Sequence, residues 1–186
     1  MRFASLNRTS DAGTEPVTLT EAKSHLRVTA SDDDTLITSL ITAARQACED
    51  YCSRAFITQT WKATFNGLEN GSRLTLPRPL LISVSSVKYK NSSGDLTLVS
   101  SSDYEVDADS EPGVIRFDDI PAFDTKYQNP LQVIYTAGYG AAADVPEDIK
   151  LAIKFAVAIW YEARMGTELP KGVRAILANY RIYNLT

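Results

Sequence analysis

Residues 146–165, PEDIKLAIKFAVAIWYEARM, constrain the fold of this chain more than any other stretch. On a helix at about 100° per residue, Glu147, Lys150 and Lys154 fall in one narrow polar stripe, which continues through Ala158 to Tyr161. Leu151, Ala152, Ile153, Phe155, Ala156, Val157, Ile159 and Trp160 fill the rest. The apolar arc takes in roughly two-thirds of the circumference, against the ~100° that one packing neighbour needs. A helix of this kind requires cover from two sides. Asp144 is placed to cap it, Pro146 suits its first turn, and Gly166 stops it.

One cover is legible earlier in the chain. A helix opens at Ser31-Asp32-Asp33-Asp34, with Ser31 as cap and the carboxylates at the positive end of the helix dipole, and runs to Cys52. Leu36, Ile37, Leu40, Ile41, Ala44, Ala47, Cys48 and Tyr51 share one side; Thr38, Thr42, Arg45, Gln46, Glu49 and Asp50 share the other. The apolar side fits one face of the helix 146–165. Two short helices complete the set. One, at 19–26, starts with the capping box Thr18-Leu19-Thr20-Glu21; the other, from 171 to about 180, carries Val173, Ile176, Leu177 and Tyr180 at helical spacing.

Between 55 and 144 helical spacing gives way to short β-rich runs separated by Gly, Pro, Asn and Ser. Strands are predicted at 58–65, 73–76, 84–90, 96–99, 104–106, 113–117 and 131–136. Asn66-Gly67 and Asn70-Gly71 are turn signals, and Asn91-Ser-Ser-Gly94 reads as a hairpin loop. The inward face of 84–90 is ambiguous at its start. Leu76-Pro77-Arg78-Pro79-Leu80 is too rich in proline for a central strand and reads as an extended connector or edge.

The fold class is therefore α+β: a small helical bundle formed by the N- and C-terminal helices, with an inserted antiparallel β module. Residues 1–16 read as a flexible arm with no secretory signal, 17–54 and 145–180 as the bundle, 55–144 as the insert and 181–186 as a tail. Lys150 and Lys154 interrupt the best candidate for a membrane span, so no membrane role is expected.

Local catalytic chemistry is sparse. His25 is the only histidine, and Cys48 and Cys52, the only cysteines, read as buried thiols rather than a disulfide or a zinc site. The glycines of Tyr135-Thr-Ala-Gly-Tyr-Gly140 lack the lysine of a phosphate loop. Residues 103–124 hold eight carboxylates against one base, Arg116. Asp107, Asp109 and Glu111 alternate as in a calcium loop, but the glycine and distal glutamate of an EF-hand are missing, which favours a solvated acidic loop or docking surface. A carboxylate pair assembled by the fold, without a local motif, is the remaining enzymatic reading. No catalytic residue, metal ligand or cofactor is assigned. A formal charge of −4 argues against a sequence-independent grip on nucleic acid.

Several stretches in order carry a resemblance: VTLTEAKSHLRV at 17–28, the acidic start and helix at 32–51, AFITQTW at 55–61, LPRPLLISVSSVKY at 76–89, DYEVDADSEP at 103–112, VIYTAGYG at 133–140, VPEDI at 145–149, Trp160-Tyr161-Glu162 and Tyr180-Arg181. This order resembles the head–tail connector, or adaptor, proteins of tailed bacteriophages, in the branch with a β insertion in the helical bundle. The resemblance implies a non-enzymatic protein of the virion neck, assembled in the host cytoplasm. It implies a ring of copies, typically twelve, with a portal protein above, a tail or stopper protein below, and DNA passing through the channel without specific binding. By the same resemblance, subunit contacts fall to the bundle and a portal contact to the C-terminal segment, here Tyr180, Arg181, Ile182, Tyr183 and Leu185. Within the bundle the polar edge of the long helix, at Lys150, Lys154 and Tyr161, and the charged edge of 32–52, at Arg45 and Glu49, are the expected contacts between subunits. The arc has two candidate covers beyond the helix 32–52: the base of the β module at Leu151, Phe155 and Ile159, or the adjacent subunit at the polar margin; most of the apolar arc is expected to be intramolecular. The alternative is a phage-encoded module that recognises a ligand through its β insert.

Overall fold

The computed structural model describes residues 3–10, 13–164 and 168–183. The chain forms two compact units, one helical and one β. In the helical unit, α1 spans Leu19–Leu26, α2 Asp34–Cys52, α3 Glu147–Ala163 and α4 Lys171–Leu177. The capping box at α1 is present as read: the Glu21 amide donates to Thr18 Oγ1 at 3.2 Å, and the Thr18 amide donates to Glu21 Oε2 at 2.7 Å. Those bonds from Thr18 hold the Glu21 carboxyl below its ordinary range. The stabilisation they give is present above the ordinary glutamate range and is lost as pH falls through the lowered folded value. Thr18→Ala is expected to cost about 1 kcal/mol in urea unfolding at neutral pH and to flatten the acid limb of the stability profile.

Other helix ends differ from their sequence signals. Ser31 makes no side-chain cap; Asp33 occupies the N-cap of α2 without a side-chain cap bond. The carboxylates tie helices together instead, Asp34 to Lys23 of α1 at 2.5 Å and Asp33 to the Tyr161 hydroxyl of α3. Asp144 accepts from the Ala141 amide in the preceding 3-10 turn, and Pro146 itself takes the N-cap of α3. At the far end Arg164 adopts a left-handed conformation and closes α3 by donating to the Trp160 carbonyl at 3.1 Å; Gly166 lies outside the described residues.

The helical core gathers Ile37, Ile41, Ala44, Cys48 and Cys52 from α2, Ile149, Ala152, Ile153, Ala156, Val157 and Trp160 from α3, and Val173 and Leu177 from α4. Both cysteines are buried and neither is in a disulfide. Burial pushes the Cys48 thiol up, away from the reactive thiolate. No helix among the described residues is long and apolar enough to cross a membrane.

In the β unit a five-stranded antiparallel sheet runs in the order β1-β2-β8-β4-β5, with β1 at Phe3–Ser10, β2 at Gln59–Phe65, β4 at Leu81–Lys90, β5 at Leu96–Leu98 and β8 at Leu131–Ala137. A second sheet, β3-β7-β6, uses Arg73–Thr75, Val114–Phe117 and Tyr104–Asp107. Residues 3–10 correct the flexible arm: they pair with β2 from Phe3↔Phe65 to Ser10↔Thr60, with two register shifts. Such an edge strand makes half its backbone bonds to one neighbour and buries little, so its sequence carries almost no alternation.

In β2 and β8 alternate residues are buried, and Trp61↔Tyr135, Ala63↔Val133 and Phe65↔Leu131 stand opposite one another on the core face. The ambiguity in 84–90 has a physical cause. Register shifts in β4 between Leu81 and Ser83 and between Val84 and Ser86 break the period of two, which lets Val84 and Val87 stand opposite Tyr135 and Val133. The hairpin at Asn91–Gly94 joins β4 to β5, with the Asn91 amide donating to the Asp95 carbonyl at 3.0 Å. Leu76–Leu80 lies outside the strands; the Pro77 carbonyl there accepts from the buried Tyr135 hydroxyl at 2.5 Å.

Candidate inter-subunit surface

On α3 the buried residues Ile149, Ala152, Ile153, Ala156, Val157 and Trp160 recur at helical spacing and form one face. Leu151, Phe155 and Ile159 recur every four residues on another, and they stand 36%, 37% and 44% exposed. A core position was one of the two readings open to these three. They form instead a continuous apolar ridge about 12 Å long at 1.5 Å per residue. Only Phe155 has a described ring neighbour, His25 of α1, whose centroid lies 5.4 Å away at a tilted angle. His25 is exposed. Acidic residues bound the ridge: Glu147 and Asp148 at one end, Glu162 at the other.

The polar edge does the opposite of what its sequence suggests. Lys150 is buried and pairs with Glu147 at 2.8 Å. The Tyr161 hydroxyl donates to Asp33, a bond that, with burial, pushes its pKa up. Lys154 is half-buried, and its charge adds to the lowering of the Glu21 carboxyl. Tyr161 thus fastens α3 to the start of α2, while Lys150 pairs within its own helix.

Arg45 and Glu49 correct a second expectation. They lie inside the unit, at 1% and 3% exposure. Arg45 donates through Nη1 to Glu49 Oε2 at 2.8 Å and through Nε to Glu15 Oε2 at 2.7 Å. Glu49 Oε1 accepts from the Phe56 amide at 2.8 Å, and Thr42 Oγ1 donates to Glu15 Oε1 at 2.8 Å. The network ties the segment before α1 and the turn after α2 to one side of α2. A wheel drawn on α2 alone shows a charged outer face, because its partners sit 30 residues before Arg45 and 7 residues after Glu49.

The C-terminal segment packs on the end of α2. Arg54 Nε donates to the Tyr180 carbonyl at 2.6 Å, and the Ile182 amide donates to the Cys52 carbonyl at 3.0 Å. The Arg181 guanidinium lies 5.0 Å from the Tyr51 ring centroid and 4.9 Å from that of Tyr183, which is 63% exposed. Burial and the nearby Asp148 push the Tyr180 hydroxyl up. Leu185 lies outside the described residues.

The outer face of α4 went unremarked in the sequence. Gly172 and Ala175 are exposed there, as is Asn179 in the 3-10 turn Ala178–Tyr180 that follows, and a side chain added at Gly172 would meet nothing within 4 Å. Lys171 and Arg174 border that row. The available signal was negative: no large apolar residue falls on the side of 171–180 away from Val173 and Leu177.

The acidic stretch 103–124 is largely engaged with itself. Glu105 and Asp118 reach Arg116 at 2.7 and 3.5 Å. Asp107 accepts from Ser110 Oγ at 2.5 Å and from the Ser110 and Asp109 amides, bonds that hold its carboxyl below its ordinary range. This is turn chemistry. Among the described residues no group of three or more His, Cys, Asp or Glu is placed to hold a metal ion.

A model of the family described as head completion protein matches residues 15–168. No curated protein sequence matches the chain. Three solved structures are similar over 98% of both chains. They are the neck of an empty gene transfer agent particle computed with C6 symmetry (TM-score 0.82, 21% identity), the neck of a native particle computed with C12 symmetry (0.79, 22%) and the virion of a native particle (0.76, 22%).

Proposed function

The chain belongs to the head completion protein family, and from that we propose that it is a structural protein of the virion neck, where copies form a ring that joins head to tail. The observation that carries the reading is the family match over residues 15–168, which spans α1, α2, the β strands from β2 to β8 and α3. Similar chains sit in particle necks with sixfold and twelvefold symmetry, which supports a ring, with a dodecamer as the expected size. The partners are further copies, a portal protein on the head side and a tail or stopper protein on the other.

The role is architectural rather than catalytic. DNA crosses the ring through a channel, and a chain of net charge −4 suits a wall that must let phosphate slide past. Tyr180–Tyr183 is the segment proposed to meet the portal. Its exposed Tyr183, stacked on Arg181, offers an aromatic anchor of the kind that dominates protein contacts.

Deleting the gene from its phage or particle-producing host tests the reading. DNA-filled heads and free tails that fail to join are expected, with joining restored by a plasmid copy. Normal tailed particles without the protein would overturn it.

A further inference from the structure

We propose that the ridge Leu151–Phe155–Ile159 of one copy packs antiparallel onto the row formed by Gly172 and Ala175 of α4 and Asn179 of the 3-10 turn that follows it on the next, so that each copy presents a different surface to each neighbour. The proposal rests on the neck-ring reading and names the surfaces that would build such a ring. Three observations carry it.

The first is exposure: three large apolar side chains stand in line on α3 at 36–44% exposure. The second is shape. The ridge runs eight helical steps from Leu151 to Ile159, about 12 Å at 1.5 Å per residue, and the row from Gly172 to Asn179 seven steps, about 11 Å. Bulk on one side meets a glycine and an alanine on the other, which lets helices approach closely. The third is charge. In the antiparallel sense Glu162 of one copy falls beside Lys171 of the next. Both α2 and the ridge carry acids instead: Leu36 of α2, 48% exposed, is flanked by Asp32 and Asp33, so α2 is the poorer receptor. A contact between two unlike faces repeats from copy to copy and gives a ring where its rotation closes, whereas a self-complementary patch stops at a dimer.

Full-length variants are supplied in trans to the deletion host, and the copies bound per particle are counted against the portal. Glu162→Lys and Lys171→Glu are each expected to lower incorporation roughly tenfold, since each sets like charges opposite one another. The double swap is expected to recover most of it. Both sites are exposed, so the free protein should keep its unfolding midpoint. As a direct measurement, Ala158→Cys with Gly172→Cys, which leave the three ridge side chains in place, should give an oxidised ladder extending beyond dimer in particles, while either cysteine alone gives no ladder; Cys48 and Cys52 are buried. Single swaps that incorporate normally, a double swap that stays low, or a crosslink to another particle protein would overturn the pairing. Absence of the wild-type chain from particles would instead overturn the neck reading itself.

Discussion

Arg45→Met is expected to destabilise the protein by about 3–5 kcal/mol and to lower the thermal midpoint by on the order of 10 °C. The guanidinium is 1% exposed and holds Glu49 and Glu15 together. Methionine fills most of the volume but leaves Glu49 with a buried oxygen that has lost its cation. A buried charge stripped of its partner costs far more than a surface pair contributes. Arg116→Ala is the control: its partners Glu105 and Asp118 are well exposed, so a change of at most about 1 kcal/mol is expected. Urea unfolding of both variants checks the difference. Similar small losses would mean that the network around Arg45 is not closed from water.

The second large effect separates two residues on one helix. Ile153→Ala is expected to cost about 2–5 kcal/mol, because Ile153 is fully buried among α2 and α3 side chains and leaves a cavity. Phe155→Ala removes the larger side chain yet is expected to cost the free protein less than about 1.5 kcal/mol, since a third of Phe155 already faces solvent and its described ring contact is with His25. In assembly the order should reverse: Phe155→Ala should impair incorporation into particles at unchanged fold. Equal destabilisation by the two variants would place Phe155 in the core and remove the ridge.

These two cases also mark where the sequence was readable. Signals that close within a few residues came through: the Thr18–Glu21 box, the Asn91–Gly94 hairpin and the alternation in β2 and β8. Features decided at long range did not. Residues 3–10 become a strand only by pairing with β2, more than 50 residues later, and their two register shifts erase alternation. Arg45 looks like an outer-face residue until Glu15 and the turn at Phe56 fold back over it. On α3 the width of the apolar arc was legible, and so was the need for two covers. Which arc stays uncovered depends on where α1, α2 and α4 settle. Tyr161 is tied to Asp33 at the start of α2 and Lys150 is buried, while Leu151, Phe155 and Ile159 lie outside.

Electron cryo-microscopy of the neck of purified particles tests the central claim most directly. The account predicts a closed ring of this chain between portal and tail, with Phe155 of each copy buried against α4 of the next. A neck built without this chain, or a ring in which Leu151, Phe155 and Ile159 remain in solvent, would contradict it.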